Sequence, residues 1–211
     1  MKKTDWNLYY EKPYKIALLS RRITGNLLVK FIRKYCKQPI DMIIEIGGAN
    51  SCFYDLIQKE VNPSEYIIMD NNQYGLDKFS ERIKKQDKNN VSLINNDILN
   101  PIKYKKVDLV FSVGLVEHFS EQGTKVAIEN HFRYVKDGGI VIIGFPTPTF
   151  LYKIVRKISE VLGMWMFPDE RPIKISEAIK IFNNNVIILE KKILWPILLT
   201  QAFFVARKIK I

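Results

Sequence analysis

Cysteine is scarce in this chain of 211 residues, with only Cys36 and Cys52 present. Two thiols exclude a disulfide-stapled scaffold and any multi-cysteine zinc or iron–sulfur cage. They fit a reducing, cytoplasmic setting, and both read as small apolar fillers. Long hydrophobic runs are missing as well. The longest uncharged apolar run, Ile193 to Ala206, has 14 residues with Pro196 inside it. A bilayer-spanning helix needs ~20, so no transmembrane segment is expected. The opening MKKTDWNLYYEKPYK lacks an apolar stretch of ~7 to 15 residues and a small-residue cleavage site, so it does not read as a secretory signal. Histidine is as rare as cysteine: His118 and His131 are the only two.

What is present is apolar bulk and positive charge. With 47% hydrophobic and 12% aromatic residues, the chain can fill the core of one domain, which excludes wholesale disorder. Lys and Arg number 33 against 22 Asp and Glu, a net charge of +11. The excess is uneven. Residues 1–40 carry 10 bases and 2 acids, 41–150 carry 12 and 15, and 151–211 carry 11 and 5. Both flanks are basic and the middle is slightly acidic. Two readings stand: an anionic partner, such as a phosphorylated or lipid-linked substrate, a membrane surface or nucleic acid, or a solvated lysine-rich surface.

Residues 15–35 place Ile16, Leu19, Ile23, Leu27, Phe31 and Tyr35 at helical steps of three and four with Lys and Arg between them. This predicts a basic amphipathic helix, or two meeting at Gly25. Residues 1–40 are read as an N-terminal helical cap. From residue 41 short apolar runs alternate with longer amphipathic stretches, the pattern of a largely parallel sheet. Strands are expected at Met42–Ile46, Tyr66–Met69, Val91–Ile94, Val107–Val113 and Ile140–Phe145. Helices are expected at 52–60, 75–86 and 121–135, the last stopped by Lys136-Asp137-Gly138-Gly139. A substrate-side insertion follows at 146–175, with a helix at 150–163, then a short helix near Ser176 to Phe182. Two last strands, Val186–Leu194 and Gln201–Lys208, are separated by Trp195-Pro196, a joint too short for a crossover, and so should pair antiparallel.

The first strand ends in Glu45-Ile46-Gly47-Gly48-Ala49-Asn50-Ser51 and runs into a helix. A glycine-rich turn there lets backbone and helix N-terminus approach a ligand, and it also serves tight strand–helix packing. Asp70 ends the second strand, spaced like a carboxylate that grips ribose hydroxyls. Asp97, in Asn95-Asn96-Asp97-Ile98, ends the third. One acid at a strand end commonly caps a helix or forms a turn. Acids after three consecutive strands, all on the carboxyl edge, point to a ligand. A dinucleotide fingerprint fits poorly, because its three glycines would fall on Gly47, Ala49 and Cys52.

These motifs, with Asp108-Leu-Val-Phe-Ser-Val-Gly-Leu-Val-Glu117-His118-Phe119 and Val135-Lys-Asp-Gly-Gly-Ile-Val-Ile-Ile, resemble in order those of class I S-adenosylmethionine-dependent methyltransferases. The likeness runs over roughly residues 41–145 and continues into the last two strands. It implies a doubly wound, mostly parallel seven-stranded α/β sheet with an antiparallel last strand, and S-adenosylmethionine as cofactor. It also implies that Glu45 and the Gly47, Gly48, Ala49 turn face the methionine part. Asp70, with Asn71 beside it, would take the ribose; Asp97 and the Ile98 amide would meet the adenine; and Ser112 to Gly114 would line the sulfonium side. Ala49 and Ser51 stand where the family usually has glycine, each adding a side chain where backbone nears ligand.

Methyl transfer from a sulfonium is a direct displacement, so positioning dominates. A hydroxyl acceptor also needs a base. His118 is the candidate base or a loop cap, Glu117 a catalytic group or loop organiser, and His131 is read as a surface or interface residue. The strand ends show no obvious cluster of metal ligands. Trp165, Phe167, Asp169, Glu170 and Arg171 form an aromatic and charged group that suits a sugar or ring substrate, or else buries the insertion. The expected acceptor is small or lipid-linked, methylated at an oxygen of a sugar or glycolipid precursor. The alternatives are a quinone or other lipid ring methylated at a membrane touched by the basic N-terminal helix, or a cofactor-binding protein without turnover. Nucleic acid is disfavoured, since no RNA-binding module is visible.

Overall fold

The computed structural model describes residues 3–11, 17–83, 90–182, 184–194 and 200–210. The apolar runs form the strands β1 (Met42–Ile46), β2 (Glu65–Asp70), β3 (Val91–Asn95), β4 (Val107–Val113), β5 (Val135–Pro146), β6 (Val186–Leu194) and β7 (Gln201–Lys208) of one sheet, ordered β3-β2-β1-β4-β5-β7-β6. β1 to β5 pair in parallel, and β7 lies between β5 and β6, antiparallel to both. The helices are α1 (Trp6–Glu11), α2 (Ala17–Tyr35), α3 (Tyr54–Glu60), α4 (Gln73–Arg82), α5 (Glu121–Tyr134), α6 (Phe150–Val161) and α7 (Ile175–Ile179). The chain order reverses between β1 and β4, which are neighbours. Open α/β sheets bind ligands outside the strand carboxyl ends at such a reversal.

The central strands are apolar on both faces because helices cover both. On one face Ile43, Tyr66, Ile68, Leu109 and Phe111 pack with Leu28, Phe31 and Ile32 of α2, Ile57 of α3 and Phe79 of α4. On the other, Ile44, Ile67, Val110 and Val141 pack with Ala127, Ile128 and Phe132 of α5. Alternation within a strand sends neighbours to opposite faces, so Ile43 and Ile44 serve different cores. Each fully buried Ile or Phe contributes about 1.5–3 kcal/mol.

Helix α2 is continuous through Gly25, where a Cβ would come within 2.8 Å of Leu56 Cδ2. That glycine lets α3 approach α2. The expected stop at Lys136–Gly139 is corrected: β5 begins directly after α5, at Val135. Val107 pairs with Val135 and Leu109 with Ile140, so the segment is a bulge in the strand, with Gly138 at φ 81°. The reason is that Val135 is fully buried on the sheet, while Lys136 Nζ meets Asp108 Oδ1 at 3.0 Å. Cys36 is buried as expected, but Cys52 is exposed, since it lies in the bend before α3 with its side chain off the core. The Trp195-Pro196 joint falls outside the described residues.

Gly144 of β5 has no room for a side chain, because a Cβ there would overlap the Phe203 ring of β7. Gly144→Ala is expected to cost about 2–3 kcal/mol, in the range of overpacked cores. Thermal unfolding should show a Tm lower by roughly 5–10 °C; an unchanged Tm would contradict the packing.

Candidate active site

The first turn, Gly47 to Ser51, leaves β1 at the reversal. Gly47 has φ 73°, and its N–H donates to Met69 O at 2.9 Å. A Cβ on Gly48 would fall 2.5 Å from the Glu45 carboxyl carbon. The turn therefore folds down on Glu45, which only glycine permits. Ser51 accepts from the N–H groups of Phe53 and Tyr54 at 3.1 and 3.0 Å, capping α3. The serine in place of the family's glycine thus has a structural task. Ala49 is fully buried, and its N–H donates to Asp70 Oδ2 at 3.0 Å, joining the first turn to the end of β2. Asp70 Oδ1 accepts from the Asn72 N–H at 2.8 Å, while Asn71 is exposed beside it.

Burial pushes the Glu45 carboxyl up to about 7, against hydrogen bonds from Ser51 and Tyr66 that favour its charged form. The Tyr66 hydroxyl donates to Glu45 Oε2 at 2.6 Å. Burial also raises Asp70, opposed by the backbone N–H groups around it. Among the described residues no salt bridge reaches either acid. Two neighbouring buried acids without a paired base favour a cationic guest, and S-adenosylmethionine carries both a sulfonium and an ammonium. The residues present therefore fit it. Bound there, the cofactor supplies an electrophilic methyl group.

The third strand end is turned by Asp97, whose Oδ1 accepts from the Leu99 N–H at 2.9 Å. Ile98 is buried, and its carbonyl accepts from Asn130 Nδ2 of α5 at 2.7 Å. After β4, Gly114 (φ 74°) donates to Gly144 O at 2.9 Å, and a Cβ on it would lie 3.6 Å from Glu117 Oε1. Ser112 is fully buried and faces α5, where its hydroxyl meets His131 Nε2 at 2.9 Å. Of the Ser112 to Gly114 stretch, Gly114 is the residue that adjoins Glu117.

His131 is corrected from surface to core: it is fully buried, with Nδ1 at 2.7 Å from Ala127 O. Nδ1–H donates to that carbonyl and Nε2 accepts from Ser112. It shares the helix stripe of Ala127 and Ile128, a period present in the sequence. Burial holds its pKa down to about 4. A lowered base takes up its proton more readily when unfolded, so its contribution is present at neutral pH and is lost as pH falls from about 6.5 towards 4. Between pH 7 and pH 5 the wild type is expected to lose about 2 kcal/mol relative to His131→Gln. Denaturant titrations of both proteins check this. The buried carboxyls titrate with the opposite sign, but equally in both, and drop out of the difference.

Glu117 and His118 sit on a 3₁₀ turn, Val116–His118. His118 Nδ1 is 3.0 Å from Asp169 Oδ1 of the insertion. Asp169 Oδ2 accepts from the Thr4 N–H at 3.2 Å, and Oδ1 also accepts from the Thr4 hydroxyl. The Trp6 ring meets the His118 ring edge-on at 4.8 Å, and Phe167 lies 5.8 Å from it. Burial lowers the His118 pKa, opposed by Asp169. Glu117 is buried, and its Oε2 has no hydrogen-bond partner among the described residues. Burial lifts its carboxyl well above the usual range, reinforced by Glu170 and Asp169. Glu170 accepts from the Tyr152 hydroxyl of α6 and is pushed up to about 7, chiefly by burial. The Arg171 N–H donates to Glu117 O at 2.9 Å.

The structure therefore gathers Phe167, Asp169 and Glu170 of the insertion around Glu117 and His118. Trp165 turns back instead, its Nε1 donating to Phe167 O at 2.8 Å. Sequence reasoning missed the role of α1. Tyr10 packs over Gly75 beside Ala49, and Asn7 and Glu11 accept from Asn72 Nδ2 and the Tyr74 hydroxyl at 2.8 and 3.1 Å. The aromatic run Trp6 to Tyr10 was the available signal. It lies across the rim from the Asp70 turn to His118.

Residues 43–139 match a family model described as a methyltransferase domain. No curated protein matches the chain by sequence. Among solved structures, the N-methyltransferase NodS from Bradyrhizobium japonicum WM9, in complex with S-adenosyl-L-homocysteine, is 13% identical with TM-score 0.69, covering 90% of this chain and 87% of that one. Magnesium protoporphyrin IX methyltransferase from Synechocystis PCC 6803 is 15% identical with TM-score 0.71, covering 90% and 84%. A putative methyltransferase complexed with the Haloferax volcanii Trm112 activator is 10% identical with TM-score 0.75, covering all of both chains. Over residues 43–139 the chain is thus similar to methyltransferase domains, and its seven-stranded fold is the one that these solved methyltransferases share.

Proposed function

We propose that the chain is a class I S-adenosylmethionine-dependent methyltransferase that methylates a hydroxyl oxygen of a lipid-linked acceptor, a sugar or glycolipid head group, at the surface of an anionic membrane. The observation that carries this is α6. Phe150, Leu151, Ile154, Ile158, Val161 and Leu162 are exposed along it, Phe150 at 81% and Val161 at 74%. Lys153 and Lys157 are exposed among them. An apolar helix face studded with lysines suits anionic lipid. The distribution of charge along the sequence points instead to the N-terminal helix, but Leu28, Phe31 and Ile32 of α2 are buried against the sheet. Among the described residues no helix is long and apolar enough to cross a membrane, so contact would be peripheral. On its inner side α6 reaches the acceptor end, where Tyr152 bonds Glu170. A head group at His118 could thus trail its lipid along α6.

As the acceptor oxygen attacks the methyl carbon, the carbon–sulfur bond breaks and the hydroxyl proton must leave. Glu117 and His118, the latter oriented by Asp169, are the groups that meet it, with Phe167 and Trp6 as walls. Glu45, the Gly47 to Ala49 turn, Asp70, Asn71, Asp97, Ile98 and Gly114 would hold the donor.

Cosedimentation with vesicles containing phosphatidylglycerol should show binding that phosphatidylcholine vesicles do not support. Ile158→Asp with Leu162→Asp should weaken it more than tenfold, because each side chain buried in lipid contributes about 1.5–3 kcal/mol. Absence of binding at low salt sinks the membrane reading, and so does a dimer that these substitutions turn into monomer. Incubation with methyl-labelled donor and a lipid extract should place label in an alkali-stable ether; label only in protein or RNA rejects the acceptor class.

A further inference from the structure

Glu117, His118 and Glu170 each offer a ligand atom, and these atoms all lie within 4.8 Å of one another. The three come from two distant segments, the turn after β4 and the insertion, so the fold and not the sequence brings them together. We propose that this cluster binds a divalent transition cation, Mn²⁺ or Zn²⁺, which holds the acceptor hydroxyl. The inference deepens the proposed function, on which it rests for the identity of the acceptor.

The independent observation is Glu117 itself. The residue is 1% exposed, and its Oε2 lacks any hydrogen-bond partner among the described residues. A buried carboxylate oxygen left without a donor is costly. Neither Glu117 nor Glu170 joins a salt bridge among the described residues. Of the nearby bases, Arg156 is engaged elsewhere and Arg171 in part, its Nε having no hydrogen-bond partner among the described residues. Arg156 Nη1 donates to the backbone carbonyl of Glu170 at 2.9 Å and Arg171 Nη1 to Glu177 at 2.6 Å. A cation is the group that this oxygen lacks.

The donor set also suits a metal. One imidazole and two carboxylates match Mn²⁺, Fe²⁺ and Zn²⁺ better than Ca²⁺. His118 is held through Nδ1 by Asp169, the carboxylate–histidine arrangement that fixes a ligating imidazole and leaves Nε2 for the metal. Neighbouring ligands of one cation at about 2.1 Å lie roughly 3.0–3.4 Å apart in octahedral or tetrahedral geometry, so atoms within 4.8 Å of one another need draw together by up to about 1.8 Å. With the cation in place, His118 meets the hydroxyl through the metal and not directly. A cation held there would lower the pKa of the bound hydroxyl, easing the loss of the proton that the displacement requires.

Calorimetry and, for Mn²⁺, electron paramagnetic resonance on the metal-stripped full chain read the binding directly. One site per chain is expected for Mn²⁺ or Zn²⁺. Glu117→Gln and Glu170→Gln, each close in shape to the original, should each weaken it at least tenfold while S-adenosylhomocysteine affinity stays within twofold. Retained donor binding shows that the variants fold, and Glu170→Gln, the less buried of the two, serves if Glu117→Gln does not. Binding of neither metal, or binding indifferent to both substitutions, overturns the proposal. Either result would leave the donor site and the acceptor class untouched, since vesicle binding and ether formation are measured separately.

Discussion

Asp70→Ala is expected to weaken S-adenosylhomocysteine binding about 100-fold in calorimetry. A charged acceptor of ribose hydroxyls contributes on the order of 1.5–3 kcal/mol, and ~2.7 kcal/mol is two decades of affinity. The side chain also receives the Ala49 N–H at 3.0 Å and the Asn72 N–H at 2.8 Å, so its removal loosens both turns that frame the pocket. Asp70→Asn separates these effects, because it keeps an acceptor oxygen but not the charge; its affinity should fall between the two. Unchanged donor binding in the alanine variant would remove Asp70 from the site.

His118→Asn is expected to lower kcat by about 10²- to 10³-fold, within the span of general acid–base contributions, while donor affinity stays within twofold. The asymmetry follows from position. His118 lies under Trp6 and Phe167 against Asp169, whereas the donor-side groups Glu45 and Asp70 lie at the ends of β1 and β2. Single-turnover kinetics with saturating donor separate the chemical step from binding. Full activity in the variant would reduce His118 to a loop residue. Loss of both binding and turnover would assign it to the donor pocket.

Much of the sheet was legible. Met42–Ile46, Val107–Val113, Val186–Leu194 and Gln201–Lys208 appear with the bounds their apolar runs imply, because a strand buried on both faces must be apolar throughout. The glycine turn, Asp70 and Asp97 were legible as a shared edge for a similar reason: in parallel strands, every carboxyl end falls on one side. Helix limits and the start of β5 were less so. Four residues with two glycines read equally as a helix stop or as a bulge, and only pairing of Val135 with Val107 decides.

Side-chain environments escaped the sequence wherever they depend on a distant partner. His131 looks like any polar residue of a helix until its stripe is laid on β4 and Ser112. Glu117 and Glu170, 53 positions apart in the chain, give no hint of sharing a site. The apolar character of α2 and α6 looks alike along the sequence, yet one helix is covered by the sheet and the other is bare.

Local patterning alone determined the fold class of this protein, since hydrophobic period, glycine turns and strand-end acids each act within a few residues of their own backbone. What waited for the tertiary structure was which helix faces outward, which acids meet His118, and how α1 lies across the rim. Those follow from contacts between segments far apart in the chain, and the energy of burying or pairing a group exists only once its partner has arrived.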